Sequence, residues 1–371
     1  MRYTRKIMIL SAGYGNGHME VSKALMHKFE HYGAFVRLVD LFQEAHPVIN
    51  SITKFLYTKS PVLSVYGFDY YGWSYYMTRD MDHDSMLAKW LNSLGSRTLL
   101  SLIRKEQPDG ILSTFPFGGI SDVLRKYAIR IPTFTVITDF ALHNRWLYTY
   151  ADEYYVATHD LKEEMIRRGI PDSRIQVSGI PIREHFYHIA KQQEDRKSVL
   201  IMAGTNGILR DIKRAVEQLR GERDIQIYIV CGKNDKLKAE LNASFGGDIN
   251  VNIFGYVEHV HELMARSSLI ITKAGGITLS EAIQAGLPII IYKPFPGQEK
   301  ENAVYLADKG AASIANSVSE LTSQVMDILR SQRIRDAMLK QVRNLKTGHA
   351  AETIVRRIFN IIDQNRKSGV S

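Results

Sequence analysis

Two short stretches carry residue types at spacings suited to chemistry on an activated, anionic substrate. The first, residues 272–302, reads TKAGGITLSEAIQAGLPIIIYKPFPGQEKEN. An apolar run ends there in Ala274-Gly275-Gly276, and a helix is expected from Thr278. Paired glycines at a strand-to-helix junction let the backbone come close to a ligand, while the unbonded N–H groups and dipole of the helix start favour an anion. Gly275, Gly276, Ile277 and Thr278 therefore read as a diphosphate seat. Glu281, about one turn into the helix, can accept two hydroxyl protons from a ribose beside that diphosphate. After the next strand, Gln298, Glu299 and Asn302 offer the dense hydrogen-bonding groups that hold a sugar ring. A plain βαβ turn would also place a glycine at a helix start; the ordered carboxylate and polar loop favour a nucleotide-sugar site.

The second stretch, Ser11-Ala-Gly13-Tyr-Gly15-Asn-Gly17-His18, comes close to a dinucleotide fingerprint, but His18 stands where the third glycine belongs. A histidine at a helix start on the carboxyl edge of a sheet suits a general base, since its free pKa lies near working pH; a helix-capping role is the alternative. Gly15 and Gly17 would shape the acceptor mouth beside it. A further strand ends in Val136-Ile-Thr-Asp139-Phe-Ala-Leu-His143-Asn-Arg145-Trp146. Asp139 either orients His18 and stabilises its protonated form or is itself the base. His143 and Trp146 line the acceptor entrance or belong to a surface turn.

Residues 47–79 crowd aromatic side chains, Tyr66 and Trp73 among them, with Lys54, Lys59 and Arg79. Amphipathic rings and basic residues favour the headgroup layer of an anionic bilayer, at about 1 kcal/mol per basic residue. A buried aromatic helix pair would use the same residues. The pattern could also stack single-stranded nucleic acid, but no RNA-binding module accompanies it, and nucleic acid is not the expected partner. Asp80-Met-Asp82-His-Asp84 lacks the glycine and distal glutamate of a calcium loop and reads as a solvated helix start. No metal is expected at the site.

These residues need elements to position them. Apolar runs at 6–11, 35–41, 109–115 and 133–138, then at 198–203, 225–231, 250–254, 268–272 and 288–292, alternate with helical patterns. Strands apolar on consecutive positions indicate parallel sheets covered on both faces. With 371 residues, 45% hydrophobic and 23% charged, the chain suits two domains, expected at 1–187 and 188–348 with the hinge near Lys191. The last helix, in 349–371, is free to pack back on the first domain. Ligands of such sheets gather at the strands' carboxyl ends, so the expected fold class is α/β, two doubly wound Rossmann-like domains facing a central cleft. On the donor side, Gly204, Thr205 and Asn206 form a small polar turn fit to approach phosphate or ribose, and the backbone from Phe254 to Val257 can pair with a pyrimidine edge. The net charge of +9 favours anionic partners without choosing among them. No apolar run spans a bilayer, and the single cysteine, Cys231, excludes intramolecular disulfides. Location on the cytoplasmic face of the membrane is expected.

Taken together, Gly13-Tyr-Gly15-Asn-Gly17-His18, the segment from Thr138 to Trp146, Gly179-Ile-Pro-Ile-Arg183, and Thr272-Lys-Ala-Gly-Gly with Pro296-Gly-Gln-Glu-Lys300 resemble the glycolipid glycosyltransferases that act on diacylglycerol. The resemblance covers nearly the whole chain, and more distantly extends to the GlcNAc transferase of peptidoglycan lipid. It implies a GT-B architecture, a UDP-sugar donor such as UDP-glucose, diacylglycerol in an anionic membrane as acceptor, and an inverting reaction without metal or other cofactor. By position, it implies His18 as base, Glu281 as the ribose carboxylate, and Gln298 and Glu299 as the sugar-contacting pair. Where many relatives read A-G-P-G, this chain has Ala274-Gly275-Gly276-Ile277. Transfer of galactose or GlcNAc, a UDP-sugar epimerase, and a non-catalytic UDP-sugar sensor remain the alternatives.

Overall fold

The computed structural model describes residues 5–13, 16–45, 95–189, 197–203, 209–222 and 224–367. Among them, one unit takes the residues up to Arg183 and from Thr347 onward, and a second takes Glu184 to Lys346. The crossing thus falls four residues before the expected 187/188 boundary, because the 3-10 turn Glu184–His188 packs within the second unit through the fully buried Phe186. The polar linker near Lys191, and the calls on Gly15, Tyr66, Trp73, Gly204, Thr205, Asn206 and the Asp80 to Asp84 run, lie outside the described residues.

The first unit runs β1 (Lys6–Ser11), α1 (Asn16–His31), β2 (Phe35–Asp40), α2 (Leu41–Ala45), α3 (Ser96–Glu106), β3 (Gly110–Ser113), α4 (Gly119–Lys126), β4 (Thr133–Val136), β5 (Glu153–Val156), α5 (His159–Arg167) and β6 (Ile175–Val177). Its strands lie in the order β2-β1-β3-β4-β5-β6, all pairs parallel. Ile7 to Leu10 are buried at every position, as both faces of a covered parallel sheet require. The order reverses direction between β1 and β3, which is where doubly wound sheets leave a ligand crevice at their carboxyl ends.

The second unit runs β7 (Lys197–Met202), α6 (Leu209–Leu219), β8 (Ile225–Val230), α7 (Asp235–Phe245), β9 (Val251–Phe254), α8 (Val260–Arg266), β10 (Leu269–Thr272), α9 (Gly276–Ala285), β11 (Ile289–Tyr292), α10 (Gln298–Asp308), β12 (Ala312–Ala315), α11 (Val318–Arg330) and α12 (Gln332–Asn344). Its parallel order, β12-β11-β10-β7-β8-β9, turns at β7 and β10. Cys231, just beyond β8, is fully buried, and burial pushes its thiol up to about 11.

The last helix, α13 (Ala350–Lys367), buries Ile354, Val355, Ile358, Phe359 and Ile362 on one face and belongs to the first unit. Arg5 Nε and Nη2 donate to the two Asp363 oxygens at 3.0 and 2.6 Å, and its guanidinium lies 4.4 Å from the Phe359 ring centre. Arg357 pairs with Glu153, a carboxylate otherwise buried in β5. Three short strands, β5, β6 and β12, were absent from the sequence expectation. β5 begins on that buried Glu153, tolerable because Arg357 reaches it from α13 and the Tyr155 hydroxyl, two residues along the same strand, donates to it at 2.9 Å. No described helix is long and apolar enough to cross a membrane.

Candidate functional site

His18 stands in the first turn of α1, at the carboxyl end of β1 and beside the reversal point of the first sheet. Its Nδ1 lies 2.8 Å from the Thr114 carbonyl and 3.0 Å from Thr138 Oγ1. A carbonyl oxygen only accepts, so Nδ1 carries the proton and Nε2 keeps its lone pair. The Thr114 that holds this tautomer is itself held. Ser22 Oγ bridges the His18 carbonyl at 2.8 Å and Thr114 Oγ1 at 2.7 Å, and Thr114 Oγ1 lies 3.1 Å from Ser11 Oγ. The ends of β1 and β3 and the start of α1 are thereby locked into one hydrogen-bonded knot.

Phe115 meets the His18 ring edge to face at 5.2 Å, and Trp146 lies 6.2 Å away. Burial pushes the imidazole below its ordinary value, while the charge of buried Asp139 and the Thr114 carbonyl pull it partly back. Asp139 thus acts on the His18 imidazole through its charge. Gly17 has open space above its Cα, compatible with close approach of an acceptor.

His143 and Trp146, expected to line the acceptor entrance or to belong to a surface turn, are both buried, Trp146 with 3% of its surface exposed. His143 Nδ1 accepts from the Arg145 N–H at 3.1 Å, capping the 3-10 turn Asn144–Thr149 and consuming the side chain in local structure. Trp146 is buried with its ring beside that of His18. Neither Thr114 nor Thr138 was singled out beforehand, though each lies just past a strand end at the same edge as His18, the positional signal that could have found them.

In the second unit, Gly275 caps α9 and Gly276 begins it. The first intrahelical bond runs from Leu279 N–H to the Gly275 carbonyl, which leaves the amides of Gly276, Ile277 and Thr278 without an intrahelical acceptor. Nothing lies within 4 Å of where a Gly275 Cβ would stand. An anion can therefore approach this helix start against backbone alone. The seat follows β10, beside the reversal point of the second sheet.

Glu281 lies in the second turn of α9 and is buried. Asn302 departs from the expected sugar contact: it is fully buried, and its Nδ2 donates to the Ala274 carbonyl at 3.1 Å. It fastens the glycine turn to α10. Gln298 and Glu299, in the first turn of α10, are half-buried. Glu299 Oε2 accepts from Phe295 N–H at 3.3 Å, and burial raises its carboxyl above the usual range against the pull of Lys273. Burial lowers the Lys273 ammonium, which lies 4.0 Å from the Phe295 ring centre and is supported by the Glu299 charge. Lys273 and Phe295 are further members the sequence reading missed. Phe254 and Val257 line a cavity of about 640 Å³ with Tyr228, Asn252, His259 and Leu263.

Comparison with known proteins adds the family context. A family model described as monogalactosyldiacylglycerol (MGDG) synthase matches residues 18–182, and the glycosyltransferase family 28 C-terminal domain matches residues 198–355. The chain is 37% identical to the processive diacylglycerol beta-glucosyltransferase of Bacillus licheniformis, over 98% of this chain and 96% of that one. The same-named protein of Bacillus subtilis is 36% identical, over 97% and 96%. Among solved structures, Acinetobacter baumannii MurG matches with a TM-score of 0.65 at 17% identity, covering 96% of this chain and 99% of that one. The fold class is GT-B.

Proposed function

The chain belongs to the family of processive diacylglycerol β-glucosyltransferases, and from that premise we propose that it transfers glucose from UDP-glucose to the hydroxyl of diacylglycerol with inversion, without a metal. His18 Nε2 removes the acceptor proton as the hydroxyl oxygen bonds to the anomeric carbon; the bond from that carbon to the diphosphate breaks, and UDP leaves with the electron pair. The observation that carries this reading is the bond from Nδ1 to the Thr114 carbonyl, which leaves the opposite nitrogen a free base. Preorganised amides at the start of α9 stabilise the charge gathering on the leaving diphosphate, the task a metal performs in other transferases. Glu281 holds the ribose, and Gln298 and Glu299 hold the hexose. The enzyme works at the surface of an anionic membrane, to which a net charge of +9 attracts it.

The test is product identification. Purified protein is incubated with diacylglycerol liposomes and, separately, UDP-glucose, UDP-galactose or UDP-GlcNAc, with a chelator present. Mass and anomeric coupling constants of the lipid products are then read. A β-linked glucosyl diacylglycerol formed in the chelator supports the proposal. UDP-glucose consumption without lipid, a product from another hexose alone, or metal-dependent turnover contradicts it.

A further inference from the structure

The second unit holds a group of imidazoles that the transfer reaction does not use. The 3-10 turn Glu184–His188 opens this unit directly after Arg183, and its buried Phe186 packs against the His261 ring at 5.9 Å. That contact sets His185 over the start of α8, where His259 is the N-cap residue and His261 and Glu262 lie in the first turn. The His185 and His261 ring centres are 5.2 Å apart, those of His259 and His261 5.6 Å, and those of His185 and His259 6.1 Å. One ligand atom each from His259, His261 and Glu262 already falls within 4.8 Å of the others.

These lengths have a chemical meaning. A zinc–nitrogen bond of about 2.0–2.1 Å puts the ion roughly 3.2 Å from an imidazole centre, so tetrahedral ligation separates ring centres by about 5.2 Å. The observed triangle is of that size. His185, His259 and Glu262 are exposed and His261 half-buried, so rotation of these side chains can turn the nitrogens inward. Three neutral imidazoles and one carboxylate suit zinc and similar divalent transition ions, where an all-oxygen set would suit calcium or magnesium. Glu184 and Glu258 adjoin two of the histidines and offset the cost of bringing a dication to a chain of net charge +9.

We propose that His185, His259, His261 and Glu262 bind one divalent transition-metal ion of the zinc class, fastening the turn that opens the second unit to the start of α8. Four protein ligands close the coordination shell, so the ion is structural and takes no part in sugar transfer.

The experiment uses full-length, tag-free protein freed of metal with a chelator. Zinc is titrated calorimetrically into the wild type, the His259→Ala/His261→Ala double variant, His185→Ala, and His27→Ala as an exposed-histidine control on α1. One zinc per chain is expected in the wild type and the control. Both cluster variants should bind about 10- to 100-fold more weakly or worse, the loss typical even of groups that only support a ligand. Cobalt should give the visible absorption of a tetrahedral site in the wild type and the His27→Ala control but not in the cluster variants, while matching circular dichroism and melting of the metal-free variants excludes misfolding. Zinc should also slow amide exchange across residues 184–188. Absence of stoichiometric binding, or wild-type affinity in either cluster variant, would overturn the site; binding without slowed exchange would overturn the fastening.

Discussion

At His18, one carbonyl decides the chemistry. The Thr114 oxygen can only accept, so the ring keeps its other nitrogen unprotonated, and burial holds the imidazole below its ordinary value of 6.5. The acidic limb of kcat/KM against pH is therefore expected below that value. Asp139 raises the imidazole pKa through its charge, so Asp139→Asn should move the limb to still lower pH. A limb that stays put or moves upward would contradict the field assigned to Asp139. The same shift has a stability consequence of defined sign. Because the folded-state pKa is depressed, His18 favours folding fully above the ordinary imidazole value, and that contribution is lost as pH falls through the folded-state pKa. His18 was legible in the sequence because a histidine replaces a glycine in a familiar turn. Thr114 was not, because a threonine just past a strand carries no chemical signature until the fold sets it beside the ring.

The elements around the glycine turn after β10 are joined by polar contacts that spacing alone does not reveal. The block 272–302 was readable as strand, glycine turn and helix, but the burial of Asn302 and its bond across to Ala274 depend on how α10 folds against α9. Asn302→Ala should leave that carbonyl unsatisfied, costing about 1–3 kcal/mol in denaturant unfolding and weakening UDP binding. Unchanged stability and affinity would show the bond to be idle. Gly275 makes the opposite prediction. Its φ of −71° is ordinary for any residue, and no atom occupies the space its Cβ would fill. Gly275→Ala should therefore fold within about 0.5 kcal/mol of wild type, the range of surface substitutions, yet bind UDP more weakly because the methyl group intrudes where phosphate approaches. His143 and Trp146 were legible only as alternatives, since aromatic residues near a strand end suit a binding mouth and a packed 3-10 turn equally well.

Across the whole chain, alternation of apolar runs and helical patterns was enough to read two doubly wound units, because parallel strands covered on both faces leave unbroken apolar stretches. One missed strand, β5, depends on a distant partner. β5 starts on Glu153, and that position depends on Arg357, more than 200 residues later, together with the nearby Tyr155 hydroxyl. Arg357→Met should destabilise the first unit by about 3 kcal/mol, the lower end for stranding a buried charge, since the arginine itself is 45% exposed. Calorimetric melting that leaves this unit unmoved would remove α13 from its stability. The reaction as a whole is tested most directly by single-turnover glucose transfer to diacylglycerol liposomes, comparing wild type with His18→Ala at saturating UDP-glucose. The imidazole's role as base predicts a loss of about 10²- to 10⁴-fold in rate with UDP affinity retained. A variant that turns over near the wild-type rate would contradict it.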